Sequence, residues 1–275
     1  MTRKILPLLT VAVLLAGCGT MRGGGYYQND GPPKRSRVDL SSIAEPIPRP
    51  EPRSDSGNDP YVVFGKTYYP LRDAKDYRER GIASWYGRKF HGKRTSSGEP
   101  YDMYAMTAAH RTLPLPSYAR VTNLRNGRAV IVRVNDRGPF LHNRLIDLSY
   151  AAALKLGIVS TGTGIVEVEA LATETNVAVS ASTKDIDGDL RLPNAAKPPR
   201  LYMQVGAFRN WQNAATLRSR LSEARFGSVF IQSEVREDVP LYRVRVGPIA
   251  NVTDSDALIE RALRYGLTDA HIVVE

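Results

Sequence analysis

Short apolar stretches dominate the middle of the chain, and β-strands are the elements that they predict. In the first block, about 78–173, the β-branched and aromatic stretches are 81–87, 119–124, 128–134 and 165–171. The last of these alternates apolar and polar residues with period two, the pattern of a half-buried strand. Many short strands with little helix favour a small β-barrel.

Local signals in this block predict one hairpin and one helix. Asn126 and Gly127 stand between two β-branched stretches and predict a tight hairpin, because both residues tolerate positive φ. Ser149 can cap a helix over Tyr150–Leu156, and Gly157 can end that helix.

The second block, 200–275, has a pattern that predicts both strands and helices. In order, it predicts strand Leu201–Phe208, helix Trp211–Phe226, strands Ser228–Val235 and Leu241–Val246, helix Asp254–Tyr265 and strand His271–Val274. Asn210 caps the first helix and Gly227 ends it, while Gly266 ends the second helix. This βαββαβ order is the ferredoxin-like plan, with helices on one sheet face and the other face free to bind. An RNA-recognition domain shares the plan, but its aromatic strand signature is absent.

Two polar stretches separate these blocks from their surroundings. Residues 19–60 hold seven prolines and three consecutive glycines without apolar periodicity, which predicts an extended tether. Residues 175–199 are poor in aromatic residues and predict a second linker. The predicted organisation is a signal peptide 1–17, a tether 18–77, a mainly β barrel domain 78–174, a linker 175–199 and an α+β domain 200–275.

The start of the chain has the pattern of an export signal. Two basic residues precede a 12-residue apolar run, 5–16, which is shorter than the roughly 20 residues that a spanning helix needs. The run ends in Leu-Ala-Gly-Cys, similar to a bacterial lipobox, in which Cys18 would become the lipid-bearing N-terminus. An ordinary signal peptide with an incidental cysteine is the alternative. Because Gly19 follows the cysteine instead of Asp, the resemblance implies sorting to the outer membrane.

Composition and charge narrow the class of partner. The 275 residues include 38 Lys and Arg against 28 Asp and Glu, a net charge of +10, and 42% hydrophobic residues, which excludes wholesale disorder and a polytopic membrane protein. Residues 78–175 carry 14 of the basic and 8 of the acidic residues. This excess predicts an anionic partner. Export argues against nucleic acid and favours the cell wall.

Catalytic residue types concentrate at 95–102 and at 134–140. The candidates are Glu99, Asp102, His110 and Asp136. Taken singly, the acidic residues lie in turn-prone sequence, where acids are ordinary. Together with arginines and aromatic residues they fit carbohydrate chemistry, in which an acid protonates a glycosidic oxygen. The four histidines form no ligand-spaced pair, and one cysteine cannot make a disulfide framework, so neither a metal nor a cofactor is expected.

These stretches resemble the rare lipoprotein A family over nearly all of 80–172. The resemblance is carried by GIASWYG at 81–87, FHGKRTSSGE at 90–99, NDRGPF at 135–140 and IDLS at 146–149. It implies a double-psi β-barrel related to barwin and expansin domains. It also implies lytic transglycosylase activity on peptidoglycan, a lyase reaction, with preference for glycan strands that lack stem peptides. The second block resembles a SPOR domain, which implies binding to such strands at the division septum.

The resemblance also implies roles for particular residues. The catalytic positions that it implies are Asp136 as the acid, with Glu99, Asp102 and His110. The substrate-binding candidates are Trp85, Tyr86 and Arg137 in the barrel and Gln204, Gly206, Phe208 and Tyr242 in the SPOR-like block. The implied partners are peptidoglycan, the membrane through lipid on Cys18, and division-site amidases.

A mechanism consistent with these residues uses one acid twice. In this hypothesis Asp136, with a pKa raised by partial burial, protonates the oxygen between N-acetylmuramic acid and N-acetylglucosamine. As carboxylate it then takes the proton of the muramic C6 hydroxyl, which attacks C1 and closes a 1,6-anhydro ring. Glu99 and Asp102 would orient the sugar or stabilise positive charge, and His110 would hydrogen-bond one of them. Arg137 would hold anionic wall groups. A glycan-binding septal lipoprotein or scaffold without turnover is the alternative.

Overall fold

Two folded regions make up the described part of the chain. The structure is a computed structural model that describes residues 30–33, 39, 43–141, 143–173, 198–236 and 239–275. The predicted signal peptide, the lipobox with Cys18 and most of the second linker lie outside these residues. No helix within the described ranges is long and apolar enough to cross a membrane.

The elements follow one another in this order: β1 (Tyr61–Val63), β2 (Lys66–Tyr68), β3 (Arg78–Tyr86), β4 (Thr107–His110), β5 (Ser117–Asn123), β6 (Ala129–Asp136), β7 (Ile146–Ser149), α1 (Tyr150–Leu156), β8 (Gly164–Ala170), β9 (Leu201–Phe208), α2 (Trp211–Glu223), β10 (Val229–Arg236), β11 (Val239–Ile249), α3 (Val252–Arg264) and β12 (His271–Val274).

Strands β3 to β8 close into a six-stranded barrel. Their hydrogen-bonded order is β3-β7-β4-β6-β5-β8, in which β3 pairs with β7 and β4 with β6 in parallel, while the other pairs are antiparallel. Valine and other apolar side chains fill the interior, including Val121, Val132 and Val166, none of which is measurably exposed. The structure thus confirms the predicted small barrel.

The predicted helix and the predicted β5–β6 hairpin of this domain are both confirmed, and only the turn of the hairpin differs from the expected one. The Ser149 hydroxyl accepts the N–H of Ala152 and caps α1, and Gly157 ends the helix in the left-handed region. In the β5–β6 connection only Gly127 has a positive φ, of 72°. The connection is therefore longer than a two-residue turn, and the Asn126 amide instead donates to the Leu156 carbonyl at the end of α1.

The C-terminal domain has the predicted ferredoxin-like plan, with sheet order β10-β11-β9-β12. Helix α2 ends earlier than predicted, because Phe226 turns inward and is only 4% exposed. The turn is made at Arg225, whose φ is 56°, before the chain reaches Gly227.

The second half of the predicted tether is not extended into solvent. Residues 43–60 form no helix or strand, but they lie along the barrel and hydrogen-bond to it. Glu45 accepts the N–H of Ile131 at 2.8 Å, and Glu51 pairs with Arg133 at 2.8 Å. Residues 61–68 then form the β1–β2 hairpin, which was missed although aromatic and β-branched residues flank its turn at Gly65. Because this proline-rich segment has no apolar periodicity, its sequence did not indicate packing. The segment nevertheless contacts the barrel.

The two domains contact each other through apolar side chains and an ion pair. Ile165 of β8 packs with Leu201 and Val274 of the C-terminal domain. Beside them the guanidinium of Arg144, 5% exposed, donates to both carboxylate oxygens of Asp256, at 2.7 Å each. The interface therefore involves the segment that joins β6 to β7.

Candidate active site

Strand β6 ends at Asp136, the residue predicted as the acid. One carboxylate oxygen, Oδ1, accepts the N–H of Ser96 at 2.7 Å, the Ser96 hydroxyl at 2.8 Å and the N–H of Arg137 at 2.8 Å. The turn that contains Ser96 is held over β6 because the Ser97 N–H donates to the Asn135 carbonyl. Three donors on one oxygen fix the orientation of the side chain. Among the described residues, Oδ2 receives no hydrogen bond, and the side chain is half-buried.

A second carboxyl lies in the same row of the barrel. Ala109 of β4 pairs with Asp136 on one side and with Asp147 of β7 on the other. Residues paired across neighbouring strands project to the same sheet face, and two strand spacings put these α-carbons about 10 Å apart. The side chain between them is only the methyl group of Ala109.

Burial makes Asp147 chemically different from Asp136. The residue is 6% exposed, and its carboxylate accepts the hydroxyl of Ser84. Burial raises the pKa of Asp147 to about 6, and the charge of Asp136 adds to this effect, while the Ser84 hydrogen bond opposes it. A carboxyl whose pKa is raised by burial can serve as an acid beside a second carboxyl.

Asp147 lies in the IDLS segment that carries part of the family resemblance, but that resemblance implied no role for it. The signal was present, because Asp147 is an acidic residue between Ile146 and Leu148, and all four residues of β7 are buried. A buried carboxyl in an apolar strand needs either a partner or a function.

Glu99 is held in an ion-pair network at the edge of the site. Arg133 donates to both of its oxygens, at 2.9 and 2.8 Å, and the Asn135 amide donates at 2.8 Å. Burial alone would raise the pKa of the Glu99 carboxyl, but these hydrogen bonds outweigh burial and hold the pKa below its usual range. Arg133 also pairs with Glu51 of the tether. Glu99 is therefore a fixed carboxylate.

His110 does not contact Glu99 or Asp102, so that part of the prediction is wrong. Its Nδ1 accepts the N–H groups of Thr112 and Leu113, at 3.1 and 2.9 Å. This leaves the proton on Nε2, which donates to the Tyr77 hydroxyl at 2.9 Å. Burial lowers the pKa of His110 to about 3, helped by nearby arginines, and the ring is neutral at physiological pH. Its contacts shape the turn after β4.

Asp102 lies apart from this row on an exposed turn. Its side chain is 56% exposed and accepts the N–H of Tyr104 at 2.9 Å. The nearest ionisable partner recorded for it is His91, with Nδ1 3.6 Å away. The structure thus brings Asp136 and Asp147 together, with Glu99 beside them, and places Asp102 at the rim.

Arg137 does not face solvent, contrary to its predicted role with anionic wall groups. Its guanidinium donates to the carbonyls of Gly57, His110 and Leu113, at 2.7, 2.9 and 2.6 Å. Burial lowers its pKa to about 10. Because these donors are already used, Arg137 ties the tether and the turn after β4 to the end of β6.

Trp85 and Tyr86 are also buried. Trp85 is 1% exposed within the barrel core, so neither ring face is open to a sugar. Tyr86 is 5% exposed, and its ring stacks on Tyr101 with centroids 4.0 Å apart. Tyr86 nevertheless lies near the acid pair, since burial raises its pKa and the charges of Asp136 and Asp147 raise it further.

The four C-terminal candidates divide between two sides of the sheet. A bulge between Val244 and Arg245 shifts the register of β11 against β9. Phe208 and Tyr242 pack against the core on the helix side. A Cβ at Gly206 would lie 2.8 Å from the Phe208 ring, so glycine is required there for packing.

Gln204 alone among these candidates belongs to a polar network, on the sheet face that the helices leave open. It accepts from Arg245, which also bonds Gln232 and Glu275, and the neighbouring Arg243 pairs with Glu234. Alternation along β10 and β11 places these side chains opposite the buried Val244 and Val246. The network was missed because its charges are spread over three strands.

No group of three or more potential metal-ligating side chains that could hold an ion occurs in the described ranges.

The barrel and the C-terminal domain match two different known families. Residues 78–170 match the family described as lytic transglycolase, and residues 197–273 match the SPOR domain. The first region is thus a double-psi β-barrel of the lytic transglycosylase class, joined to a SPOR domain. The solved SPOR domain of RlpA from Pseudomonas aeruginosa is 37% identical, covering 26% of this chain and 96% of that chain, with a TM-score of 0.26.

Two full-length relatives extend the likeness beyond the separate domains. Endolytic peptidoglycan transglycosylase RlpA of Pseudomonas aeruginosa strain UCBPP-PA14 is 42% identical, over 88% of this chain and 88% of that protein. The protein of the same name from Vibrio cholerae is 37% identical, over 98% of this chain and 96% of that protein. The chain belongs to the RlpA family, and the resemblance drawn from the sequence is confirmed.

Proposed function

We propose that the barrel domain is a peptidoglycan lytic transglycosylase. It cleaves the bond between N-acetylmuramic acid and N-acetylglucosamine in strands without stem peptides and leaves 1,6-anhydro ends. The observation that carries this proposal is the pair formed by Asp136 and Asp147, two carboxyls in one row whose environments differ. The names of the full-length relatives support the same reaction class.

In this mechanism, Asp147 donates the proton and Asp136 accepts one, whereas the hypothesis drawn from the sequence assigned both proton transfers to Asp136. Asp147 holds a proton at mildly acidic pH and donates it to the glycosidic oxygen as the bond from C1 to that oxygen breaks. Asp136, as carboxylate, stabilises the positive charge that develops at C1 and takes the proton of the C6 hydroxyl. The C6 oxygen then bonds to C1 and closes the anhydro ring. No water is consumed, and the proton gained by Asp136 returns to Asp147 through solvent.

Residues around the pair fix its geometry. Glu99, held by Arg133 and Asn135, keeps the 95–99 turn over the end of β6, and this turn supplies the Ser96 donors to Asp136. Asp102 at the exposed rim is free to accept hydroxyl groups of the sugar. His110 acts as a positioning residue, because its contacts are to backbone N–H groups and to Tyr77.

The envelope is the proposed site of action. The apolar run and lipobox-like end at Cys18 support lipid anchoring in the outer membrane, facing the periplasm. The SPOR match supports recruitment to peptide-free glycan at the division septum, where amidases that remove stem peptides would supply the substrate.

The direct test is digestion of purified peptide-free strands by the full chain in detergent. Mass spectrometry should detect 1,6-anhydro ends with wild type, and Asp147→Asn and Asp136→Asn should each lower the rate at least about 100-fold. Asp59→Asn, a change at an exposed aspartate, is the matched control and should leave the rate unchanged. Strands that co-sediment intact with wild type would instead identify a binding scaffold, and products with reducing ends would identify a hydrolase.

A further inference from the structure

A groove outside the proposed mechanism lies where the two domains meet. It has a volume of about 640 Å³, and its walls come from the β1–β2 hairpin and from residues 79–82, 111–112, 140–141, 143–145 and 268–272. None of the carboxyls assigned to catalysis lines it. We call it the hairpin groove.

Aromatic rings form one wall of the hairpin groove. Tyr68 and Phe140 have ring centroids 5.7 Å apart, and Tyr61 stacks behind Tyr68 at 5.2 Å. Phe64, at the tip of the hairpin, is 91% exposed. The negative face of an aromatic ring attracts the C–H groups of a pyranose, so such a wall fits a sugar.

Two cations of the groove are available for a ligand. Arg80 is paired with Glu167 and Arg144 with Asp256. By contrast, Arg111 and Lys66 form no ion pair with the residues that the structure describes. Lys66 is exposed on the hairpin, with Nζ 5.6 Å from the centre of the Tyr68 ring.

Two acidic residues also line the hairpin groove, Glu79 and Asp269. Glu79 accepts the Tyr77 hydroxyl at 2.8 Å and so already has a donor. The lining thus contains four basic side chains, Lys66, Arg80, Arg111 and Arg144, against these two acidic ones, an excess of positive charge that favours an anionic group.

The groove connects with the acid pair. Arg111 is two residues along the chain from Ala109, which separates Asp136 from Asp147, and its charge acts on Asp147. The Tyr61 hydroxyl, behind the aromatic wall, donates to the Arg111 carbonyl at 2.9 Å and so joins the wall to the turn after β4. A strand lying across the acid pair can therefore continue into the groove.

We propose that the hairpin groove binds a muramic acid unit next to the cleaved bond, with its lactyl carboxylate on Arg111 and Lys66. This inference rests on the proposed function. In a strand that carries stem peptides the lactyl carboxyl is tied up in an amide bond and has no charge, whereas in a peptide-free strand it is an anion. The groove thus gives the barrel its own means of selecting peptide-free strands, separate from the SPOR domain.

The test measures binding without turnover, so that it does not depend on the cleavage reaction. The full chain carrying Asp147→Asn is titrated with a peptide-free oligosaccharide and with the same oligosaccharide after its carboxylates have been converted to amides. Amide NMR signals of residues 61–68 report the hairpin groove separately from the C-terminal sheet.

Amidation should weaken binding of this parent roughly tenfold. Arg111→Gln should weaken binding of the unmodified ligand by a similar factor and be almost insensitive to amidation. Lys66→Gln, on the exposed hairpin, should cost roughly threefold and serves if the arginine variant does not fold. Arg125→Gln, an exposed arginine on the β5–β6 connection, is the control and should behave as the parent.

The proposal is overturned if both groove variants bind the unmodified ligand as tightly as the parent. It is equally overturned if amidation weakens the parent and the variants by the same factor. Failure of the proposed function would show separately, as the absence of anhydro ends from wild type in the digestion.

Discussion

The acid pair of the barrel and the open sheet face of the SPOR domain use polar side chains in opposite ways. In the barrel, Asp147 is buried with one hydroxyl as its hydrogen-bond donor, beside the charge of Asp136. On the sheet face, Arg243 and Arg245 lie in mid-strand and are matched by Glu234 and Glu275. Proton transfer needs a group whose pKa has been moved, whereas binding a sugar needs hydrogen-bond donors and acceptors held in place.

The buried carboxyl of Asp147 lowers the stability of the barrel at neutral pH. The folded pKa of Asp147, about 6, lies above the ordinary value near 3.9 of an unfolded aspartate. A raised carboxyl pKa favours the folded state at low pH. That contribution is lost as pH rises from about 4 to 6, leaving the wild type about 3 kcal/mol less stable at neutral pH than with an unshifted group.

Asp147→Asn should therefore have the largest effect on activity and stability of the substitutions considered. Besides losing activity, this variant should be about 2–3 kcal/mol more stable than wild type at pH 7.5, since it removes a buried charge. The difference should vanish below pH 4. Denaturant unfolding of the barrel at both pH values measures this. Asp59→Asn, in solvent, should change neither value, and a destabilised Asp147→Asn at pH 7.5 would contradict the account.

His110→Ala should be next in size and should act in the opposite direction. Removing the buried ring leaves the N–H groups of Thr112 and Leu113 without their acceptor and opens a cavity, which should lower the free energy of unfolding by about 2–4 kcal/mol. Because the folded pKa of His110 is depressed, the wild type should lose stability as pH falls below about 6.5, and the variant should lack this component. A variant as stable as wild type but inactive would instead make His110 catalytic.

Breaking the contact between the two regions should have a smaller effect. Asp256→Asn leaves the buried Arg144 guanidinium without its charged partner and should lower the free energy of unfolding by about 1–3 kcal/mol. The matched change, Glu260→Gln, affects an exposed pair with Arg264 and should cost less than about 0.5 kcal/mol. Equal effects of the two substitutions in denaturant unfolding would show that the domains do not depend on this pair.

The smallest effect is expected on the sheet face, where we propose that several side chains share the binding of glycan. Gln204→Ala should weaken retention of the full chain on peptide-free glycan roughly threefold, the loss of one hydrogen bond. Gln212→Ala, exposed on α2 at the helix side, should leave retention unchanged. A helix-side variant that weakens retention as much as Gln204→Ala would place the glycan on the other face.

What the sequence could predict was local. β-Branched and aromatic stretches located four of the six barrel strands, β3, β5, β6 and β8, and the Ser149 cap and Gly157 fixed α1 to the residue, because these signals act within a few positions. The sequence could not predict which distant residues become neighbours in the folded protein. Asp136 and Asp147 become a pair only through their pairing with Ala109, and His110 faces backbone N–H groups that no motif shows. The bulge at Val244 likewise decides which C-terminal side chains reach the open face.

The central claim is that Asp147 is the proton donor and Asp136 the acceptor. Its most direct test is the pH dependence of kcat/KM for 1,6-anhydro end formation by wild type on peptide-free strands. The account predicts that the rate falls about tenfold per pH unit once pH rises well above 6, as Asp147 loses its proton. A rate that stays level or rises between pH 6 and 8 would contradict it.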